Sequence, residues 1–291
     1  ASLSKLMIGA EPPQLTHREQ KPGLPVLTVN RLNLPKEDQF GVDLDGISLQ
    51  VGAGEVVGIA GVSGNGQKEL LYALSGEDVR SPVGSVRMGE VDMSRLHPGG
   101  RRKLGLHFVP EERLGRGAVP TLGLAHNLLL TRNNALSKSG WISVKALETQ
   151  AADIIRRFNV KAGGPNSVAR SLSGGNLQKF IVGREIDANP KLLIVSQPTW
   201  GVDVGAAAQI RGEILALRDK GCAVLVVSEE LDELFELSDR LHVIAKGRLS
   251  PSVPIGEATI ERIGEWMSGL WHEDVQAHLA SKAAEATHAE A

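Results

Sequence analysis

Length, composition and charge place this chain among ordinary globular proteins and exclude several other classes. It has 291 residues, of which 42% are hydrophobic and 23% charged, enough for one large domain or two modest ones. The formal net charge of -2 gives no basic footprint for a nucleic-acid binder, and the single cysteine, Cys222, excludes an internal disulfide framework. Because no apolar run is long enough to span a bilayer and no signal peptide opens the chain, we expect a cytosolic protein in a reducing compartment.

The two ends of the chain predict an organisation in three parts. Residues 10–25 are rich in Pro and polar residues and indicate a linker. Residues 3–9 agree with 263–269 only at Met, Gly and apolar neighbours, which chance could supply, but an internal repeat would make them the tail of a preceding homologous domain. We therefore expect that tail and a linker in 1–24, one domain in 25–270, and a flexible tail rich in Ala, Glu and His in 271–291.

Taken in chain order, the hydrophobic periodicity predicts an α/β core interrupted by a helical insertion. Alternating apolar residues indicate strands at 26–34 and 46–51. Continuous apolar runs at 56–60, 192–195 and 224–227 are typical of buried parallel strands, and 241–245 indicates a final strand. Helical spacing is found at 68–75, 122–130, 145–158, 178–186, 206–218 and beyond 257, and the second to fourth of these lie in an insertion at about 116–186.

The loop after the strand at 56–60 has the spacing of a phosphate-binding P-loop. Its glycines would let backbone N–H groups face an anion at the start of the next helix. The lysine of this motif is replaced by Gln67, and Lys68 stands where Ser or Thr would bind Mg²⁺. A glycine-rich turn alone is equally consistent with a tight strand-to-helix connection. The candidate nucleotide-binding residues are Gly61, Ser63, Gly64, Asn65, Gly66, Gln67 and Lys68.

The segment LSGGNLQK at 172–179 is the first of four further motifs, and it resembles the signature of the nucleotide-binding domains of ATP-binding-cassette (ABC) transporters. Residues 192–206 resemble the Walker B strand and D-loop, with Ser196 and Gln197 in place of Asp and Glu. Residues 226–233 resemble the switch segment with Glu229 for His, and 108–111 the Q-loop with Glu111 for Gln. The resemblance, over about 25–270, implies an ABC-type P-loop NTPase core of mostly parallel strands, an N-terminal antiparallel β subdomain and an inserted α-helical subdomain.

The pattern is most similar to the second, C-terminal cassette of the tandem ATPases that serve sugar and nucleoside importers. The residues that show this closer similarity are 64–67, 110–113, 158–160, Asn176 and 198–206. The sequence FNVK at 158–161 favours the nucleoside branch, while a monosaccharide stays open.

The resemblance also implies a ligand, partners and a location. The ligand is ATP, and the direct partners are an N-terminal cassette of the same polypeptide and two transmembrane permease subunits. A coupling helix of a permease would bind at about residues 111–127. A periplasmic or lipoprotein solute-binding protein would take part indirectly, and no nucleic acid is expected. The chain would lie peripherally on the cytoplasmic side of the plasma (inner) membrane.

The same resemblance implies that the chain's own ATP site is degenerate. In a working site the P-loop lysine neutralises phosphate and a Walker B Asp helps to hold Mg²⁺, whereas Gln67 and Ser196 carry no charge. Gln197 supplies no general base, and Glu111 and Glu229 add negative charge. We therefore predict negligible hydrolysis by this chain alone, with Mg²⁺ in the partner's site and no metal site assigned here. Lys68 would either project its ammonium towards the place of the metal or swing into solvent.

The signature, in contrast, is intact. In ABC pairs it closes over the nucleotide of the partner cassette, which needs a hydroxyl and close-approaching N–H donors at a helix start. The residues that would act in this way are Leu172, Ser173, Gly174, Gly175 and Gln178, with Asp203 in the D-loop. The chain is thus expected to complete the partner's site.

Four single residues have competing interpretations. Phe40 is the only candidate for the aromatic that stacks on adenine in the family, but a core phenylalanine is favoured. Trp200 would pack either at the cassette interface or inside the chain. Cys222 is expected to be a small core residue, and His242 a structural residue within a strand.

Two other functions are compatible with this family. A non-transport ABC protein of translation or DNA repair would be expected to carry basic arms or long helical insertions, which the sequence does not show. Salt-sensitive binding of nucleic acid would identify such a protein. A purely regulatory module would have no use for an intact signature. We therefore favour the energy-coupling subunit of an importer.

Overall fold

The computed structural model describes residues 21–132, 137–138 and 141–271. Most of the predicted tail and linker at 1–24, and all but the first residue of the predicted flexible tail at 271–291, lie outside the described residues. Among the residues that the structure describes, no helix is long and apolar enough to cross a membrane.

Strands and helices alternate along most of the described chain. The strands are β1 (Pro25–Leu34), β2 (Leu44–Gly52), β3 (Val56–Ala60), β4 (Val86–Met88), β5 (Val91–Asp92), β6 (Leu106–Val109), β7 (Ser137–Lys138), β8 (Trp141–Ile142), β9 (Leu192–Ser196), β10 (Ala223–Ser228), β11 (Arg240–Ala245), β12 (Arg248–Leu249) and β13 (Val253–Pro254). The helices are α1 (Gln67–Ser75), α2 (Pro98–Leu104), α3 (Leu124–Leu129), α4 (Val144–Arg157), α5 (Gly174–Asp187), α6 (Val204–Asp219), α7 (Leu231–Leu237) and α8 (Ile260–Met267).

An antiparallel sheet in the order β2-β1-β4-β5 forms one layer of the domain and confirms the expected antiparallel β subdomain. Buried and exposed residues alternate along β1 because one face of the sheet packs on the core. The alternation slips by one residue at Arg31, whose φ is 45°, in a bulge between the buried Val29 and Leu32. β4 and β5 are too short for a period of two to predict them.

A mostly parallel sheet in the order β12-β11-β3-β10-β9-β6 forms the centre of the domain. Every residue of β3, β9 and β10 is buried. Leu193 and Val195 face an apolar cluster formed with α3 to α8, whereas Leu192 and Ile194 face a second cluster formed with α1 and the antiparallel sheet. Because both faces are covered, these strands are continuous apolar runs, as predicted.

The inserted helices pack on one another and on the central sheet, as expected for the α-helical subdomain. Phe158, at the end of α4, is fully buried. Gly183 of α5 lets its ring approach, since a Cβ at that position would lie 2.6 Å from a ring carbon. α5 begins at Gly174 with Ser173 as N-cap, four residues before the predicted start. Two glycines at the start of a helix oppose its propensity, so the periodicity misses this turn.

A buried ion network fixes α5 to the sheet. The Glu185 side chain has no exposed surface and accepts a hydrogen bond from Arg102 Nη1 at 2.7 Å. His107 Nδ1 lies 2.7 Å from the same oxygen, and Arg184 pairs with the other oxygen at 2.8 Å. Burial alone would raise the pKa of Glu185, but the neighbouring Arg184, Arg102 and His107 hold it well below its usual range. Glu185 is therefore ionised inside the protein.

Cys222 and His242 are structural, as predicted. Cys222 is 4% exposed, and burial raises the pKa of its thiol to about 12. His242 lies in β11 and is 5% exposed, and its Nδ1 is 2.9 Å from the carbonyl of Ser250. Burial lowers the pKa of its imidazole to about 4. Both side chains are thus uncharged at neutral pH.

Candidate nucleotide site

The predicted P-loop connects β3 to α1 and wraps around the start of that helix. Gly64 and Gly66 have φ angles of 82° and 108°, which residues with a side chain rarely adopt. Asn65 anchors the loop to the turn after β11. Its Oδ1 accepts from the N–H of Lys246 and its carbonyl from the N–H of Gly247, both at 2.9 Å. Two hydrogen bonds therefore hold the loop to that turn.

Gln67, at the lysine position, folds back over its own loop. Its Nε2 donates to the carbonyl of Val62 at 2.7 Å, and its Oε1 accepts from the N–H of Asn65 at 3.0 Å. One backbone N–H of the loop is therefore already bonded and is not offered to a phosphate. The amide preserves the shape of the loop without the positive charge that lysine would bring.

Lys68 lies over the ring of an aromatic residue on its own helix. Its Nζ is 5.4 Å from the centroid of the Tyr72 ring, one turn further along α1. The side chain is exposed and also lines the cavity beside the P-loop. The Lys68 side chain is therefore both solvent-exposed and part of the cavity wall.

The ends of β9 and β10 form the opposite wall of this cavity, whose volume is about 240 Å³. Ser196 and Gln197 are buried at the end of β9. Gln197 has a left-handed φ of 49°, and its Oε1 accepts from Ser228 Oγ at 3.2 Å and from the N–H of Glu229 at 3.3 Å. The amide oxygen at the position of the general base is thus hydrogen-bonded within the protein. The cavity brings these residues and Glu111 together with the P-loop, as the motifs predicted.

The cavity contains no surplus of positive charge. Three carboxylates line it: Glu111, Glu112 and Glu229. Burial and the charges of Glu112 and Glu229 raise the pKa of Glu111. The cations that line it are Lys68 and Arg116, and Arg116 is already paired with Glu77 at 2.8 Å and with Glu112 at 2.9 Å. The carboxylates of this cavity therefore repel the terminal phosphate of ATP. In working sites lysine and Mg²⁺ neutralise the charge of that phosphate.

The residues at the usual metal position do not fit Mg²⁺. This ion prefers an octahedral set of oxygen ligands that includes carboxylates. Ser196 offers only a hydroxyl, and the ammonium of Lys68 repels a cation. In the part of the chain that the structure describes, no group of three or more His, Cys, Asp or Glu side chains could hold a metal ion. The side chains at this position therefore do not supply the ligand set that Mg²⁺ prefers.

The signature residues lie at the start of α5 and do not line this cavity. Ser173 is exposed, and its Oγ accepts from Asn176 Nδ2 at 2.9 Å. Gly174 is exposed as well, so the first N–H groups of a 14-residue helix face the surface. Asp203 of the D-loop caps α6 by accepting from the N–H of Ala206 at 2.9 Å. Ser173 and Gly174 are thus exposed at a place outside the cavity beside the chain's own P-loop.

Two charged side chains near the site have no role that the motifs predict. Arg113 Nε donates to Oε1 of Gln178 at 3.1 Å, and its Nη2 donates to the carbonyl of Trp200. Glu233 of α7 is 1% exposed and accepts from Thr199 Oγ1 at 2.5 Å and from Ser228 Oγ at 2.8 Å. Burial raises the pKa of Glu233 although these hydroxyls and Arg211 oppose the shift. The positions of charged residues in the sequence do not predict the hydrogen-bond partners of Arg113 and Glu233.

Phe40 and Trp200 are both exposed. Phe40 is 88% exposed in the loop between β1 and β2, so the core interpretation is wrong. The loop turns outwards because Asp38 Oδ1 accepts from the N–H groups of Phe40 and Gly41, both at 2.8 Å. The same loop contacts α1, since the N–H of Val42 donates to Glu69 at 3.2 Å. Trp200 is 54% exposed, which excludes burial within this chain.

Comparison with known proteins agrees with this geometry. Residues 44–200, more than half of the chain, match the family model described as ABC transporter. The chain is 38% identical over 270 residues to the nucleoside import ATP-binding protein NupA of Lactococcus lactis subsp. cremoris, covering 92% of this chain and 53% of NupA. It is also 38% identical over 275 residues to the glucose import ATP-binding protein TsgD13 of Haloferax volcanii, covering 92% and 50%. The chain thus spans about half the length of these relatives.

A solved structure has the same fold. The ATP-binding cassette MJ0796, in a dimeric post-hydrolysis state bound to ADP and Pi, matches with a TM-score of 0.68 at 20% identity, over 79% of this chain and 98% of that chain. At this identity the match supports the fold alone. Together with the family model and the relatives, it leads to one conclusion: the chain belongs to the ABC transporter family.

Proposed function

We propose that this chain is the C-terminal half of a tandem ATPase that drives a solute importer. Its own ATP site is degenerate, and its signature completes the site of an N-terminal cassette in the same polypeptide. One asymmetry carries the proposal. Gln67, Ser196 and Gln197 replace the residues that would act on the chain's own nucleotide, whereas the signature residues 173–175 are retained, with Ser173 and Gly174 exposed. The greater length of NupA and TsgD13 supports a second cassette.

The solute is proposed to be a nucleoside or a simple sugar. The names of NupA and TsgD13 support this range, and their equal identity to the chain, 38%, does not separate the two classes. The sequence FNVK at 158–161 favours a nucleoside. Specificity in such systems resides in the permease and the solute-binding protein, so the fold of this subunit does not determine it.

The chain is proposed to bind two permease subunits on the cytoplasmic side of the inner membrane, with a solute-binding protein acting through them. A second cavity of about 360 Å³, between the helical insertion and the rest of the domain, supports this docking. Its apolar walls include Phe108, Pro110 and Val119, and Arg102 and Arg184 lie beside them. It coincides with the region around 111–127, where a coupling helix is expected. A short amphipathic helix would fit such a groove.

The purified chain is expected to hydrolyse ATP negligibly, because charge and general base are both missing from its site. The measurement is steady-state phosphate release by protein freed of contaminating ATPases. Gln67→Lys alone should gain little, since Ser196 and Gln197 still supply no carboxylate. A turnover of about 1 s⁻¹, at the low end of ordinary enzymes, would contradict the degenerate site.

Nucleotide binding by this half is expected to be independent of Mg²⁺. Lys68 occupies the position of one metal ligand and Ser196 that of the carboxylate ligand, so the metal has no site to stabilise. Titration of ATP with Mg²⁺ and with EDTA should give the same Kd. Lys68→Thr combined with Ser196→Asp restores the usual ligands and should introduce a metal dependence. A strong Mg²⁺ requirement of the unmodified chain would overturn this expectation.

A further inference from the structure

Arg113 joins three segments that carry different motifs. It lies two residues after Glu111, the last residue of the Q-loop segment at 108–111. Its Nε donates to Gln178 Oε1 on α5 at 3.1 Å, and its Nη2 donates to the carbonyl of Trp200 in the loop before the D-loop. The Q-loop segment, the signature helix and the D-loop segment therefore meet at one guanidinium.

Both the oxygen and the nitrogen of the Gln178 side-chain amide are hydrogen-bonded. Its side chain is 1% exposed, its oxygen faces Arg113, and its Nε2 donates to the carbonyl of Pro198 at 3.0 Å. Gln178 lies one turn after Gly174, so its position sets that of the helix start. Arg113 and Gln178 together thus tie the signature helix to the loop at 198–200.

Gly174 leaves room for the guanidinium, since a Cβ at that position would lie 2.6 Å from Arg113 Nη1. Gly201, whose φ is 59°, lies on the other side, where a Cβ would be in ordinary contact with Nη2 at 3.5 Å. The guanidinium therefore fills the notch between the first residue of α5 and the turn that leads to Asp203. Only a planar side chain with several donors in a fixed fork can bond to both walls of such a notch.

We propose that Arg113 is a positioning residue that holds the signature and the D-loop in register with the Q-loop segment. It does not line the cavity beside the P-loop and acts through Gln178 and the Trp200 carbonyl. A displacement of the Q-loop segment is thereby passed to Ser173 and to Asp203. The inference rests on the proposed function, since the signature has a reacting partner only if it acts on another cassette.

The test uses the full-length protein with its permease subunits in proteoliposomes. Arg113→Ala is expected to lower kcat for ATP hydrolysis by about 10- to 100-fold, because small misplacements of such groups cost rates of that order. KM for ATP should stay nearly unchanged, since Arg113 does not bind the nucleotide. Arg113→Lys keeps the charge and most of the stem but loses the fork, and should be impaired to a similar degree. It also replaces the alanine variant should that one fail to fold.

A double-mutant cycle separates positioning from general stabilisation. Gln178→Leu should lower kcat, and adding it to Arg113→Ala should lower kcat little further, because both remove the same link. Arg156→Ala is the matched control. Arg156 is an exposed arginine on α4 that pairs with Asp153 at 2.6 Å, and its loss should leave kcat unchanged.

Three results would overturn the inference: kcat of Arg113→Ala within about twofold of the parent protein, recovery of the parental kcat by Arg113→Lys, or independent, multiplying effects of the two substitutions. These are distinguishable from a failure of the proposed function. If Ser173→Ala abolishes activity while the Arg113 variants do not, only the role of Arg113 is refuted. If Ser173→Ala is also fully active, the signature does not act in trans and the proposed function itself is refuted.

Discussion

Full-length protein carrying Ser173→Ala is expected to lose ATP hydrolysis by about 10²- to 10³-fold, the usual effect of removing one preorganised donor to a developing charge. Ser173 is suited to this role by its environment. It is exposed at the start of α5, and its Oγ accepts one hydrogen bond from Asn176, which leaves its own proton free to be donated to a phosphate. The helix dipole of α5 also favours a negatively charged group at this end of the helix. Steady-state hydrolysis and solute uptake in proteoliposomes would measure the loss.

A neighbouring serine provides the control for this prediction. Ser171 is also exposed and only two residues away, but its Oγ donates to the carbonyl of Val168 at 2.6 Å. Ser171→Ala should therefore retain full activity. Gln67→Lys in the same full-length protein should change hydrolysis little, because the proposed function assigns turnover to the site of the other cassette. Full activity of Ser173→Ala, or a large gain from Gln67→Lys, would place the working site in this half and contradict the assignment.

Glu185→Leu is expected to lower the free energy of unfolding by about 3–5 kcal/mol, as when one partner of a buried ion network is removed. The Arg184 side chain is 3% exposed and would lose its carboxylate partner. Burial already lowers the pKa of Arg184, so an unpaired charge there is costly. Chemical denaturation at neutral pH would measure the change. Asp153→Ala, which breaks the exposed pair with Arg156, should cost no more than about 1 kcal/mol.

The same carboxylate predicts how stability depends on pH. The pKa of Glu185 in the folded chain lies well below the ordinary value of 4.5, held down by Arg184, Arg102 and His107. Its contribution is therefore fully present above about pH 4.5 and is lost as the pH falls below that value, when the unfolded chain binds a proton that the folded chain does not. The parent chain should lose stability more steeply in this range than Glu185→Gln. Equal slopes would show that Glu185 is not the group responsible.

Motifs with short, fixed spacing could be predicted from the sequence because their geometry is local. The glycines at 61, 64 and 66 between an apolar run and a helical repeat have the spacing of a P-loop, which the four later motifs support, and the replacements at Gln67, Ser196 and Gln197 are visible without any structure. The buried parallel strands are equally local, because a strand covered on both faces must be apolar at every position. The family resemblance, the core strands of the fold and the replaced residues of the site could all be predicted from such local features.

The tertiary structure decided how these segments meet. Phenylalanine is a residue type that is usually buried, yet hydrogen bonds to Asp38 turn the loop of Phe40 outwards and leave Phe40 88% exposed. The start of α5 at Gly174 depends on packing that outweighs the poor helix propensity of two glycines. Arg113 and Gln178 lie 65 residues apart in sequence and bond only because the sheet brings their segments together. Pairings over such separations depend on the folded chain as a whole, and so the sequence by itself determined what each segment can do, whereas the fold decided which segments act on one another.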